Sequence, residues 1–156
     1  MKKISIKCFA AVAAVSVVFS VFAMGGIPKQ NGSVPPDAAA VVKGSQVVVY
    51  YFHGAFRCST CTNMEKFTRE AIETNFKDAL AAGSLEFKAV NVEEKGNEHF
   101  VNDYQLYTKS LIISSVKDGK ELKHKNLDKI WQLAGNKQQF IEYVTAEVSA
   151  FMEDVR

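Results

Sequence analysis

From about residue 46 onward the chain alternates between two hydrophobic periods. Val47-Val48-Val49-Tyr50-Tyr51-Phe52 is an unbroken β-branched and aromatic run, the pattern of a strand covered on both faces. Met64, Phe67, Ala71, Ile72, Phe76, Ala79 and Leu80 then recur at helical spacing. They predict one helix over residues 61–82, stopped by Gly83. Residues 85–92 alternate and predict a second strand, and residues 97–106 a shorter helix carrying Phe100, Val101 and Tyr104. A third strand is expected over 111–116, with Asp118-Gly119 turning it into a fourth over 120–125, because Asp-Gly between two such runs favours a tight hairpin. Residues 127–133 form a short helical piece broken at Gly135. Asn136 then caps a last helix, with Gln139 at capping-box spacing and Phe140, Val144, Val148, Phe151 and Val155 along one face.

Upstream the pattern changes. All three prolines (Pro28, Pro35 and Pro36) fall between residues 24 and 46, together with Gly25, Gly26, Gly32 and Gly44. That composition disfavours packing and suits a tether. The first 23 residues carry Lys2, Lys3 and Lys7 ahead of an apolar stretch from Phe9 to Phe22, interrupted by Ser16 and Ser20, and end in Val21-Phe22-Ala23. They read as a cleaved export signal or a retained membrane anchor, the apolar run being short for a comfortable span of ~20 residues. The expected organisation is therefore a leader over 1–23, a flexible tether over 24–45 and a folded domain over 46–156. Either fate of the leader puts the domain outside the cytoplasm, in the periplasm or on the outer face of a bacterial membrane, close to that membrane through its N-terminus.

Composition changes this picture little. The 47% hydrophobic and 23% charged residues are ordinary for one globular domain. Taking the three leader lysines from 19 basic residues leaves 16 against 17 acidic ones, a net charge of −1. No concentrated basic face remains for nucleic acid.

The chemistry lies in sulfur. Cys58 and Cys61 enclose Ser59 and Thr60, between the first strand and the first helix. A helix start presents unpaired N–H groups and a positive dipole end, which favours thiolate, the form that attacks disulfides and binds metals. Cys8 lies in the leader, so the domain holds a single cysteine pair. An inert staple is a weak reading, because closing so short a loop removes little chain entropy. Cys58 is the expected attacking sulfur and Cys61 the resolving one. Arg57 adds a neighbouring positive charge. His53, at the strand end, is either a proton-transfer group or a plain strand cap bonded to nearby backbone. His99 and His124 have no ligand spacing to the cysteines, so a closed zinc site is not expected. A lone dithiol still suits soft monovalent copper or trivalent arsenic.

The element order β-α-β-α-β-β-α is that of a thioredoxin-like fold, an α/β domain with a mixed four-stranded sheet and helices on both faces. Its first two strands should be parallel, joined by a right-handed crossover. Two features usual in thioredoxins are missing. The place of their buried first-strand carboxylate falls at Tyr51 or Phe52. Glu65, one turn beyond Cys61, is a possible substitute but reads first as a solvated helix-face acid. No proline follows Pro36, so Lys109 or Ser110 stands where thioredoxins keep a cis-proline facing the disulfide, and a trans peptide is expected there.

The stretches Tyr50-Tyr51-Phe52-His53-Gly54 and Arg57-Cys58-Ser59-Thr60-Cys61 resemble the family of small exported proteins called nitrophenyl-compound nitroreductase subunit ArsF. Asn91-Val92-Glu93 and residues 104–110 and 131–144 extend the resemblance over roughly residues 46–148. It implies a thioredoxin-like subunit with Cys58 and Cys61 as its redox pair. It also implies a setting of arsenic resistance, a membrane partner of the disulfide-relay type, and absence of the third-strand proline as a shared trait. Nitro-group reduction itself needs a hydride or electron carrier such as a flavin. No glycine-rich nucleotide turn is present, so no cofactor is expected, and the chain reads as an electron-passing partner. The resulting expectation is an exported thiol–disulfide oxidoreductase acting on a disulfide-bearing protein, with soft-metal or arsenite binding by the same dithiol as the alternative.

Overall fold

The computed structural model describes residues 44–154, and the expected leader and nearly all of the tether lie outside these. Strand β1 (Ser45–His53) leads to α1 (Ser59–Asn75), α2 (Lys77–Ala81) and β2 (Leu85–Asn91). Then come α3 (His99–Asp103), β3 (Ser110–Lys117), β4 (Lys120–Asn126), α4 (Ile130–Leu133) and α5 (Lys137–Asp154). The strands lie in the order β2-β1-β3-β4. β1 runs parallel to β2, with Val47 opposite Leu85, and antiparallel to β3, with Phe52 opposite Ser110. β3 and β4 are antiparallel.

The continuous apolar run of β1 is explained by two cores. Val47, Val49 and Tyr51 join Leu111 and Ile113 on one face, packed with Met64 and Ile72 of α1 and Phe140, Val144 and Val148 of α5. Phe52 and Ile112 face the other way, with Leu106 and the partly buried Tyr50, Val90, Phe100 and Tyr104. Helices thus cover both faces of a mixed sheet, and the domain has the thioredoxin-like fold.

Three expectations need correction. The first helix does not run unbroken over residues 61–82: it starts at Ser59 and leaves helical dihedrals at Phe76 (φ −129°, ψ 34°) before α2 begins. The Asn75 side-chain amide donates to the Ala71 carbonyl at 2.9 Å, competing with the helical backbone pattern there. The bend also brings Phe76, Ala79 and Leu80 against the first core. The second helix is only His99–Asp103, because the chain turns out at Gln105 (φ +50°) and the Leu106 N–H closes on the Val101 carbonyl at 2.9 Å. The piece expected over 127–133 is helical only from Ile130.

The hairpin and the last cap form as expected. Asp118 and Gly119 take φ values of +51° and +77°, both left-handed, as a two-residue turn between twisted strands requires. The Asn136 side chain accepts the Gln139 N–H at 3.1 Å. Phe140, Val144, Val148 and Phe151 are buried, and Val155 lies outside the described residues.

Candidate functional site: a disulfide at the start of the first helix

β1 ends with Phe52 in the core and His53 half-buried, and five residues after His53 Cys58 caps α1 in extended conformation (φ −78°, ψ 166°). Its Sγ accepts the Cys61 N–H at 3.3 Å, using one of the donors that a helix start leaves unpaired. The two cysteines form a disulfide with Cα atoms 5.2 Å apart. Cys58 is half-buried, whereas Cys61, one turn in, is 2% exposed. Of the two residues, Cys58 is the more accessible. Ser59 and Thr60 are exposed beside it.

Beneath the pair lies a group that the sequence did not single out for this role. Tyr51 is fully buried, and its hydroxyl donates to the Cys61 carbonyl at 2.7 Å. Burial pushes the phenol up to about 12; the Arg57 charge opposes this and the Glu65 charge adds to it. Tyr51 therefore holds the start of α1 as a neutral donor. Its period-2 position identifies the core face it occupies, but not the carbonyl it meets.

Glu65 also differs from expectation. The Arg57 guanidinium is ion-paired with Glu65, whose other oxygen lies 3.4 Å from Arg69. Glu65 is only 17% exposed, so it is not the solvated helix-face acid read from the sequence. The i,i+4 step from Cys61 puts it on the same side of the helix as the buried sulfur, where Arg57 folds over it. The Arg57 Nε is buried without a hydrogen-bond partner among the described residues.

His53 donates from Nδ1 to the Gly54 carbonyl at 2.9 Å, the backbone-bonded arrangement, and its ring lies 6.2 Å from that of Tyr51. His53, Glu93 and Lys109 help line a cavity of about 170 Å³ with Phe52 and Tyr107. A Cβ on Gly54 would lie 2.3 Å from the Glu93 Oε1, so a side chain there would require the exposed Glu93 carboxylate to shift. The Lys109 carbonyl accepts the Trp131 Nε1–H at 3.1 Å, and the Ser110 hydroxyl donates to the Thr108 carbonyl at 3.0 Å. The loop before β3 is thus held without a cis peptide, none being present among the described residues. Phe56 and Tyr107 are strongly exposed.

Among the described residues no cluster of three or more histidine, cysteine or acidic side chains is placed to hold a metal ion. His99 bonds to the Gly96 carbonyl and His124 to Glu121, each on its own element. A cavity of about 830 Å³ lies beside Ser45, at the far end of β1, among Asn75, Phe76, Ala82 and Met152, and contains none of the groups above.

No family model matches this sequence. No curated protein matches it either. Among solved structures it is similar to the thioredoxin of Fasciola hepatica, at 24% identity over 67% of this chain and 82% of that one, with a TM-score of 0.38. It is also similar to a Schistosoma mansoni thioredoxin pre-protein (16% identity, 64% and 82% covered, TM-score 0.38). Thioredoxin from Trypanosoma brucei brucei is a third (20%, 64% and 79%, 0.35). The fold assignment rests on strand order and element sequence.

Proposed function

We propose that the protein is a thiol–disulfide oxidoreductase that passes two electrons to or from a disulfide-bearing protein in the cell envelope. One observation carries this: a half-buried Cys58 at the cap of α1 is joined by a disulfide to a buried Cys61 one turn away. In the oxidising direction a partner thiolate attacks Cys58 Sγ and Cys61 leaves as a thiolate, which takes up a proton. The partner's second thiolate then attacks its own sulfur in the mixed disulfide and releases Cys58. The partner leaves oxidised by two electrons, and this chain holds the dithiol. The opposite direction retraces the same steps, with Cys58 attacking and Cys61 resolving. Pairs of this type span about −270 to −120 mV, wide enough for either role.

The resemblance of residues 46–148 to the ArsF subunits supports a finer reading. Here the domain serves an arsenic-resistance or nitroaromatic-reduction system as an electron-passing subunit, beside a membrane protein of the disulfide-relay type. The lysine-led apolar start of the chain supports export.

The test is covalent trapping. A Cys61→Ser variant should retain partners on Cys58 as mixed disulfides in envelope extracts, resolved by thiol, while Cys58→Ser retains none. No adduct with Cys61→Ser would defeat the relay reading. Tight one-to-one arsenite binding without any disulfide exchange would replace it with the binding alternative.

A further inference from the structure

We propose that Glu65 is a positioning residue for the redox pair: by engaging Arg57 it limits the positive charge available to the Cys58 sulfur. It thereby sets the reduction equilibrium of the pair. This rests on the thiol–disulfide reading and deepens it.

Four observations converge. Arg57 precedes Cys58 directly in the chain, and its guanidinium is turned onto Glu65. The Arg57 Nε is buried and has no acceptor among the described residues, so a donor is left unspent beside the site. Glu65 is largely shielded between Arg57 and Arg69, the latter also 3.7 Å from Glu73. Glu65 lies one helical turn past Cys61, whose carbonyl takes the Tyr51 hydroxyl, so the ion pair sits on the side of α1 that carries the buried cysteine.

The electrostatic consequence follows from what reduction creates. A disulfide is neutral, and Arg57 then has one anion to satisfy. Reduction generates a Cys58 thiolate, a second anion on the residue that follows Arg57 in the chain. Glu65 and the thiolate compete for it, in surroundings where partial burial leaves charges poorly screened. Titratable groups at this end of the sheet include Tyr51 and His53 on β1, Glu93 after β2 and Lys109 before β3, while Arg69 on α1 shares Glu65. None of them is paired with Arg57 in the ion-pair geometry.

Opposite effects should follow from removing either partner. With Glu65→Gln, Arg57 is released to the sulfur and the thiolate is favoured. The equilibrium of protein disulfide plus two glutathione thiols against protein dithiol plus glutathione disulfide should move roughly tenfold toward reduced protein, about 30 mV more oxidising. The pH of half-maximal Cys58 alkylation should fall. With Arg57→Gln, Glu65 remains as a like charge near the developing thiolate, and both readouts should move the other way. The double variant should return toward wild type. Arg57→Lys and Glu65→Asp serve as folded controls that preserve charge, and they should shift the equilibrium less than the neutral variants.

Shifts of the same sign for both neutral variants, or none in either, would overturn the assignment, because a purely structural ion pair changes stability without opposed redox shifts. Trapping by Cys61→Ser tests the exchange reading separately. Adducts without opposed shifts would defeat only the role of Glu65, and opposed shifts without adducts would defeat only the relay.

Discussion

Replacing Tyr51 by Phe isolates the hydroxyl beneath the redox pair, because the ring and its packing are kept. Two terms change, with different dependence on pH. The hydrogen bond to the Cys61 carbonyl is lost, which costs about 0.5–1.5 kcal/mol for a neutral pair. The second term is proton linkage. The phenol titrates at about 12 in the folded protein against its ordinary 10, so above pH 10 the unfolded chain holds fewer protons than the folded one. Stability from this group is complete below pH 10 and declines as pH rises toward 12. At pH 11 the decline amounts to roughly 1.4 kcal/mol. Phenylalanine has no such term. The variant should thus be about 1 kcal/mol less stable at pH 8, and the two proteins should be close to equal near pH 11. Urea unfolding of the oxidised protein, followed by fluorescence of Trp131, its single tryptophan, measures this directly. Tyr104 and Tyr143, whose values are also raised by burial, titrate in both proteins and cancel in the difference. A deficit that stays constant from pH 8 to pH 11 would refute the buried phenol. No deficit at pH 8 would refute the bond to Cys61.

Two other substitutions probe the scaffold. Phe140→Ala empties a fully buried position between α5 and the sheet, edge-on to Phe67, and should cost about 3–5 kcal/mol in denaturant unfolding; a loss below 1 kcal/mol would show that this core is not packed as described. Burial raises the Glu121 carboxyl, but hydrogen bonds from Ser114, Tyr104 and His124 more than offset this, so its folded value lies below the usual carboxylate range. Its contribution is therefore present above the ordinary carboxylate range and lost as pH falls through the depressed value. Glu121→Gln should narrow the stability gap between pH 7 and pH 3 seen in wild type, and an unchanged gap in a pH series of unfolding curves would contradict the network.

Periodicity and local turn chemistry make much of this protein readable in its sequence. The β-branched run of β1, the Asp118-Gly119 hairpin, the Asn136 cap and the Phe140, Val144, Val148 and Phe151 stripe are short-range signals. Each depends on residues within a few positions of one another. The cysteine pair belongs with them, since its place at a strand-to-helix junction is itself a sequence relation. The break at Phe76 and the early end of α3 at Asp103, before the turn at Gln105, were not readable. No glycine or proline marks either one; the first coincides with a side-chain amide taking a backbone carbonyl, the second with a non-glycine residue adopting a left-handed conformation. Pattern could place Tyr51 on the core face and Glu65 one turn past Cys61. Only the folded chain brings the Tyr51 hydroxyl to the Cys61 carbonyl and closes Arg57 over Glu65. Those contacts join residues eight and ten positions apart across a turn, and their energies depend on burial, which a linear sequence does not specify.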